Sequence, residues 1–203
     1  IGDLIQAGIL AKPQDGNHGE IHPARADYVR EGVPFIMAAD LENGDVNTID
    51  CRFISREQAK SLRVGFAKHG DVLLSHKGTI GRAAILETSD DYVVLTPQVT
   101  YYRVKDAAKL SNQFIYHYFL SPGFQREIDR IAGGGSTRAY IGITKQLELK
   151  FVLPPLAEQL SIVAKLNVLS KEHQRLETLY RRKITALDEL KKSLLHQAFS
   201  GNL

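Results

Sequence analysis

Residues 153–199 decide the architecture of this chain, and they read LPPLAEQLSIVAKLNVLSKEHQRLETLYRRKITALDELKKSLLHQAF. After Pro155 no proline or glycine follows until Gly201. Because these two residue types interrupt helices, their absence from a leucine-rich stretch predicts one continuous helix over 156–199. At about 1.5 Å per residue, that helix is roughly 65 Å long.

Apolar side chains recur along this helix at alternating intervals of four and three residues, which is the spacing of a coiled-coil seam. The seam consists of Ile162, Leu166, Leu169, His173, Leu176, Tyr180, Lys183, Leu187, Leu190 and Leu194, with His173 and Lys183 as its polar interruptions. A long helix with one apolar stripe needs a second helix beside it, and no upstream segment is long enough. We therefore predict dimerisation through the seam positions other than Lys183. The alternative is a helix folded back on its own domain.

The preceding residues show short, mixed signals typical of an α+β domain with a curved, mixed or antiparallel sheet. Strands are predicted at 33–37, 71–75, 82–86, 98–104 and 147–153, because short apolar runs there are bounded by turn residues. A capping box at Ser55 predicts a helix at 55–62, the aromatic-rich stretch 111–120 is predicted to be helical, and Ser121-Pro122 predicts the start of a helix at 121–131. The proline pair then divides the chain into a globular domain, 1–153, and a long-helix domain, 154–203.

Composition excludes several classes of protein. Cys51 is the only cysteine, which excludes a disulfide framework and fits a reducing cytoplasm. No apolar run approaches the ~18–20 residues of a membrane span. Ile1 is not a natural start, so some N-terminal sequence is expected to be missing.

Catalytic and cofactor motifs are also missing from the sequence. His18 and His22 are four residues apart, but the neighbouring glycines and proline indicate a loop and not a metal-binding helix. There is no Gly-Lys-Ser/Thr phosphate loop and no Asn-Pro-Pro-aromatic stretch. We therefore predict a chain that is not an enzyme and that binds neither a metal nor a cofactor.

Three polar loops suit nucleic-acid recognition. Residues 70–82 read GDVLLSHKGTIGR, a strand, a glycine turn and a second strand, while 136–140 read STRAY and 15–18 read DGNH. Lysine and arginine bind guanine edges or phosphates, asparagine suits adenine, and hydroxyls fix the register. The candidate DNA-binding residues are Asn17, His18, Ser75, His76, Lys77, Thr79, Arg82, Ser136, Thr137, Arg138 and Tyr140. A solvated basic face is the plainer interpretation of the same residues.

The sequence resembles the specificity subunits (HsdS) of type I restriction–modification systems. The resemblance is strongest over LPPLAEQLSIVAKLNVL and LYRRKITALDELKKSLLHQAFSGNL, and it extends to GDVLLSHKGTIGRAAIL and SPGFQREIDRIAGGGSTRAYIG. It implies a target-recognition domain that reads one half of a split duplex DNA target, and a conserved helix that forms an antiparallel coiled coil. It also implies docking of HsdM-type methyltransferase and HsdR-type restriction subunits. S-adenosylmethionine, ATP and Mg²⁺ are then expected on those partners alone.

One departure from the family stands out, because a usual specificity subunit carries two recognition domains and two conserved helices. Here we find one of each, so the chain is either a fragment or a half subunit that forms a homodimer. Two other classes stay open at this stage. One is a stand-alone nuclease or DNA methyltransferase fragment, and the other is a coiled-coil module that binds protein.

Overall fold

Short strands and short helices alternate through the globular part of the computed structural model, which describes residues 1–133 and 140–200 apart from the side chain of Glu20. The helices are α1 (Gly2–Gln6), α2 (Arg56–Ser61), α3 (Asn112–Leu120), α4 (Pro122–Ile131), α5 (Ile143–Glu148) and α6 (Leu156–Phe199). The strands are β1 (Gln14–Asp15), β2 (Tyr28–Val29), β3 (Val33–Ile36), β4 (Leu41–Glu42), β5 (Asp45–Val46), β6 (Arg52–Ile54), β7 (Phe66–Ala67), β8 (Val72–Ser75), β9 (Ala83–Ile85), β10 (Val93–Leu95) and β11 (Val99–Tyr102).

Two small sheets carry most of the strand pairing. The first has the order β1-β11-β8-β9 and is antiparallel throughout. The second has the order β2-β6-β3-β10-β7 and is mixed, because β10 runs parallel to β3. A separate hairpin joins β4 to β5. These sheets confirm the α+β class with mixed and antiparallel pairing.

Serine side chains cap three of the predicted helices, at Ser55 and Ser121 as the sequence indicated and also at Ser111. The Ser55 hydroxyl accepts from the Gln58 amide at 3.1 Å, and α2 follows it. Ser111 and Ser121 cap α3 and α4 in the same way, with Pro122 in the first turn of α4. Each cap satisfies an amide that the first helical turn leaves without a partner.

The strand predicted at 147–153 is wrong. Residues 143–148 form α5, and residues 149–155 have no regular structure. Within the predicted range, the Leu149 amide donates to the carbonyl oxygen of Gln146 at 3.3 Å, and the carbonyl oxygen of Lys150 accepts from the Tyr118 hydroxyl at 3.2 Å. These backbone groups are therefore used by a helical turn and by a side chain, and not by a neighbouring strand.

The core of the globular part lies between the sheets. One cluster of buried residues includes Ile36, Leu73, Leu95 and Tyr101, and it also contains Cys51. Burial raises the pKa of the Cys51 thiol to about 11. The thiol is therefore protonated and shielded at neutral pH.

At Gly16 and Gly65, backbone segments from different parts of the chain approach each other closely. A Cβ atom on Gly16 would lie 1.9 Å from the carbonyl oxygen of Leu95. Gly65 has φ near +81°, and a Cβ atom there would lie 2.8 Å from the Cα of Gly16. Only glycine fits both positions, so the loop after β1 is held tightly against the segment that precedes β7.

The chain divides into two compact units, Ile1–Leu160 and Ser161–Leu203. The first turn of α6 belongs to the first unit, where Gln159 is fully buried. Its amide nitrogen donates to the carbonyl oxygens of Lys109 and Pro154, and its oxygen accepts from the amide of Ser111. Gln159 thereby anchors the start of α6 to the loop that leads into α3.

The second unit consists of the rest of α6, which is continuous as the sequence predicted. Apart from Ile162, which is half-buried, the predicted seam side chains are exposed along it, with Leu187 at 64% and Leu169 at 64%. The ion pairs Arg175–Glu172 and Arg181–Glu177 link side chains three and four residues apart on its surface.

Candidate nucleic-acid interface

The turn between β8 and β9 presents the basic residues of the predicted recognition loop. Gly78 and Gly81 have φ near +77° and +86°, which allows the chain to reverse sharply. The Ser75 hydroxyl is buried and accepts from the amide of Arg82 at 2.9 Å. Ser75 therefore links the two ends of the turn through this hydrogen bond. The side chains of Lys77, Thr79 and Arg82 are exposed.

The loop after β1 has one buried and one exposed candidate. Asn17 is 2% exposed; its amide donates to the carbonyl oxygen of Val64 at 2.7 Å, and its oxygen accepts from the amides of Arg63 and Val64. This side chain holds two segments of the fold together, and its burial keeps it away from a bound base. His18 follows it on the surface, with a ring nitrogen 2.9 Å from an Asp15 carboxylate oxygen.

His76 is buried and connects the turn to the segment at 140–141. Its Nδ1 donates to the carbonyl oxygen of Ile141 at 3.0 Å, because a carbonyl can only accept. The same oxygen accepts from Gln146 at 2.9 Å, and the Ile141 amide donates to the carbonyl oxygen of His76. An antiparallel bridge between Lys77 and Tyr140 extends this pairing. Tyr140 is consequently held beside Lys77 with 46% of its surface exposed.

Electrostatics keep His76 neutral. Burial lowers the pKa of its imidazole, and this effect outweighs the attraction of the Asp15 carboxylate, whose oxygen lies 3.7 Å from Nε2. Burial also lowers the pKa of His22, with smaller contributions from His18 and Lys77. Both rings are therefore uncharged at neutral pH.

A cleft of about 410 Å³ opens where these loops meet. It is lined by His18, Gly19, His22, Tyr28, Met37, Lys77, Thr96, Pro97 and Gln98. His18 comes from the loop after β1, Lys77 from the β8–β9 turn, and Gln98 from the start of β11. The backbone amide of His76 donates to the carbonyl oxygen of Gln98 at 2.9 Å, which fixes the last two loops side by side.

The structure thus brings together some of the candidate residues and separates others. His18 and Lys77 share the cleft, and Tyr140 lies beside Lys77. Thr79 and Arg82 are exposed on the same turn but do not line the cleft. Asn17, Ser75 and His76 are buried and do not line the cleft. Ser136, Thr137 and Arg138 lie outside the described residues. Contact with DNA stays a prediction for all of them.

Seven of the nine residues that line the cleft were not among the sequence candidates, and four of these seven have side chains that can form hydrogen bonds. Gln98 is exposed at its rim, while His22, Tyr28 and Thr96 form part of its wall. His22 and Tyr28 both pack against Phe35, with ring centroids 5.7 Å and 6.0 Å away. No local motif marks these residues, because their neighbourhood depends on contacts between distant segments.

Neither a cluster of metal-ligating side chains nor a helix fit to span a membrane occurs in the described part of the chain. Within residues 1–133 and 140–200, no group of three or more His, Cys, Asp or Glu side chains is placed to hold a metal ion. Over the same described ranges, no helix combines the length and the apolar character that crossing a bilayer requires.

Comparison with protein families gives a match over residues 15–185 to the type I restriction modification DNA specificity domain. This chain belongs to that family. The match includes the loops around the cleft and most of α6. The chain is also 25% identical, over 187 residues, to the specificity subunit of the type I restriction enzyme EcoBI from Escherichia coli. That alignment covers 92% of this chain but 38% of the relative, so this chain spans less than half of that subunit's length.

Solved structures share the fold of the specificity domain. One is a chain from a study of complex assembly and conformational transition of the type I R-M system, with a TM-score of 0.73 and 22% identity. Another is the HsdS subunit from Thermoanaerobacter tengcongensis, with a TM-score of 0.65 and 22% identity. Both similarities cover 97% of this chain, and they cover 45% and 44% of those chains.

Proposed function

We propose that this chain reads one half of a split duplex DNA target sequence-specifically and catalyses no reaction itself. The observation that carries the proposal is the convergence of the loop after β1, the β8–β9 turn and the segment at Tyr140 on one face. A rigid platform of exposed polar and cationic side chains is what base reading and phosphate contact require. Membership of the specificity-domain family supports the same function.

The braced turn suits two kinds of DNA contact. Lys77 and Arg82 are exposed cations on a short loop whose ends are fixed by Ser75. Each can neutralise a phosphate or bind the O6 and N7 atoms of guanine. Thr79, between them, offers a hydroxyl for positioning. Rigid placement limits the conformational entropy that binding would cost.

Selection of duplexes from a randomised library by the purified full chain tests this function. We expect one half-site to be enriched, with affinity that falls steeply as salt rises, because phosphate contacts release counterions. Recovery of random sequence would contradict sequence-specific reading. Salt-independent binding would favour a protein-binding module in its place.

Alanine variants of the β8–β9 turn then distinguish contacts with bases from contacts with phosphates. Lys77→Ala and Arg82→Ala should each weaken binding to the selected duplex. Loss of a base contact costs about 1–3 kcal/mol and relaxes preference at one position, whereas loss of a phosphate contact reduces the salt slope by about one. Lys105→Ala is the matched control, since Lys105 is an exposed cation beyond the opposite end of β11.

We further infer that a second copy of the chain covers the seam of α6. The other described helices have at most ten residues, against 44 in α6, so none of them matches the seam in length. A second copy supplies a helix of equal length. Pairing two copies would present two globular domains to a DNA target with two-fold symmetry.

The order of residues in the seam supports antiparallel pairing of two copies. His173 and Lys183 lie five residues on either side of Thr178, so an antiparallel dimer centred on Thr178 places each against the other. The same register pairs Leu166 with Leu190 and Leu169 with Leu187. A parallel dimer would instead place Lys183 opposite Lys183, where like charges repel.

Docking of HsdM-type methyltransferase and HsdR-type restriction subunits is the last part of the proposal, and family membership supports it. The purified chain alone, given Mg²⁺, ATP and S-adenosylmethionine, should neither cut nor methylate the selected duplex. Addition of the methyltransferase subunit should yield adenine methylation. Activity of the chain alone would contradict a non-catalytic role and would favour a nuclease or methyltransferase fragment.

A further inference from the structure

The turn that joins β10 to β11 lies between two of the predicted recognition loops. In its sheet β11 is flanked by β1 on one side and by β8 on the other, and both run antiparallel to it. Asp15 pairs with Thr100, and Ser75 pairs with Val99, so β1 and β8 end where β11 begins. The loop after β1, the turn at 96–99 and the β8–β9 turn therefore emerge side by side at one end of this sheet, with the turn at 96–99 in the middle.

The backbone of Gln98 is fixed within this central turn. The amide of Val99 donates to the carbonyl oxygen of Thr96 at 3.2 Å, which closes the turn around Pro97 and Gln98. The carbonyl oxygen of Gln98 also accepts from the amide of His76 at 2.9 Å. Proline restricts the turn further, because its ring fixes its own φ angle. Gln98 is therefore held at a defined position beside the β8–β9 turn.

The side chain of Gln98 differs from the others that line the cleft. It is exposed and uncharged, whereas the other exposed side chains of the cleft are those of Lys77 and His18. An amide carries both a donor and an acceptor, so it can pair with the edge of a base, and it gains less than a cation does from a phosphate. Asn17 has the same amide group, but it is buried. Among the described cleft residues, Gln98 is the one amide.

The central position of Gln98 suits entry into the major groove of DNA. Adjacent strands of a sheet are about 4.8 Å apart, so the loops on the two sides of the central turn span roughly 10 Å. The major groove is about 12 Å wide, with a phosphate backbone along each edge. A face of this width can direct its central side chain towards the base edges, while an outer cation such as Lys77 lies nearer to a phosphate.

We propose that Gln98 determines one base of the half-site by binding adenine, with its amide nitrogen donating to N7 and its amide oxygen accepting from the N6 amino group. Adenine presents this acceptor and this donor next to each other in the major groove, and a glutamine amide matches both at once. The inference rests on the proposed DNA-binding function and assigns one base contact within it.

Replacement of a single atom in the DNA provides the first test. Each adenine of the selected half-site is replaced in turn by 7-deazaadenine, in which a CH group takes the place of N7. We expect one replacement to weaken binding by the full chain about fivefold or more, because the amide nitrogen loses its acceptor. Gln98→Ala should bind the unmodified duplex about tenfold more weakly, and the same replacement should then have no further effect.

Selection with variants of Gln98 provides the second test. Gln98→Ala should lose the preference for adenine at one position and keep the salt dependence of the original chain, because the amide carries no charge. Gln98→Glu should prefer cytosine at that position, since a carboxylate accepts from the N4 amino group. Gln6→Ala is the matched control, because Gln6 is an exposed glutamine of α1 that does not line the cleft. It should select the half-site of the original chain.

The outcomes separate this inference from the function on which it rests. Retention of every base preference in Gln98→Ala would overturn the inference and leave sequence-specific binding intact. An equal loss of affinity for all duplexes would also overturn it, because Gln98 would then contact the DNA backbone or support the fold. Additive losses from 7-deazaadenine and Gln98→Ala would count against it in the same way. Failure to select any duplex would remove the proposed function and this inference together.

Discussion

At the scale of single residues, burial divides the polar side chains of the loops into two groups. Buried ones stabilise the fold, and exposed ones are available to contact DNA. Asn17 and Lys77 were equally good candidates by residue type, but the amide of Asn17 is used by backbone atoms of the segment at 63–64. Lys77 remains exposed at the edge of the cleft. The sequence could not separate the two, because the partners of Asn17 lie more than 40 residues away.

Replacement of Asn17 should therefore lower the stability of the fold, and any effect on DNA binding should follow from that loss. Asn17→Ala leaves the carbonyl of Val64 and the amide of Arg63 without their partner. We expect the free energy of unfolding in urea to fall by about 1–3 kcal/mol. Lys12→Ala, an exposed neighbour, should change it by less than about 0.5 kcal/mol. Equal effects would show that the buried bonds of Asn17 contribute nothing.

The buried ring of His76 predicts a dependence of stability on pH. Its pKa in the fold lies below the ordinary value of 6.5, mainly because of burial. As the pH falls below about 6.5, the unfolded chain takes up a proton that the folded chain resists, so stability present above that pH is lost. Lowering the pH from 7.5 to 5.5 should reduce the melting temperature.

The comparison variant for this effect is His76→Gln, which lacks the titrating group. Its melting temperature should be lower at pH 7.5 but should change less between the two pH values. The remaining slope reports other groups, including His22, whose pKa is also lowered by burial. An unchanged slope would exclude His76 as a source of the dependence.

At the scale of secondary-structure elements, local signals and long-range contacts contribute differently. The helices that begin after Ser55 and Ser121 were predictable from their caps, because a cap and its amide are three residues apart. The four strands predicted before residue 105 also appear. Two-residue strands such as β2 and β7 were not predictable, since so short a segment carries no periodicity. The error at 147–153 arose because a partner of this segment, the Tyr118 hydroxyl that donates to the carbonyl oxygen of Lys150, lies 32 residues away in the sequence.

The polar layer of α6 offers a prediction about pairing. In the proposed antiparallel dimer, His173 of one copy faces Lys183 of the other, and such polar layers lower stability while fixing register. The double variant His173→Leu/Lys183→Leu should dimerise at least about tenfold more tightly, as measured by sedimentation equilibrium. Gln174→Leu/Arg182→Leu, away from the seam, should leave the dissociation constant nearly unchanged. Weaker association of the seam variant would contradict this register.

At the scale of the whole molecule, the two units should respond differently to dilution. The first unit has its own buried core, whereas the described part of the second is an exposed helix. Most tyrosines lie in the first unit, and the chain contains no tryptophan. If a second copy covers the seam, the melting temperature of α6 depends on chain concentration and that of the core does not.

Circular dichroism at 222 nm and tyrosine fluorescence can follow the two transitions in one sample. We expect the helical transition to move to lower temperature on dilution through the dissociation range, and the tyrosine transition to stay fixed. Coincident transitions at every concentration would exclude an intermolecular partner for α6. In the variant Leu176→Glu, the helical transition at high concentration should occur at the lower temperature that the original chain shows when dilute.

The shielded thiol of Cys51 makes the arrangement of two copies directly measurable. It is the only cysteine of the sequence, and its high pKa and burial keep it unreactive towards maleimide at neutral pH. A cysteine introduced at Gln174 or Arg182 would consequently accept a spin label alone, without removal of the native residue. The distance between two such labels would distinguish antiparallel from parallel helices in solution.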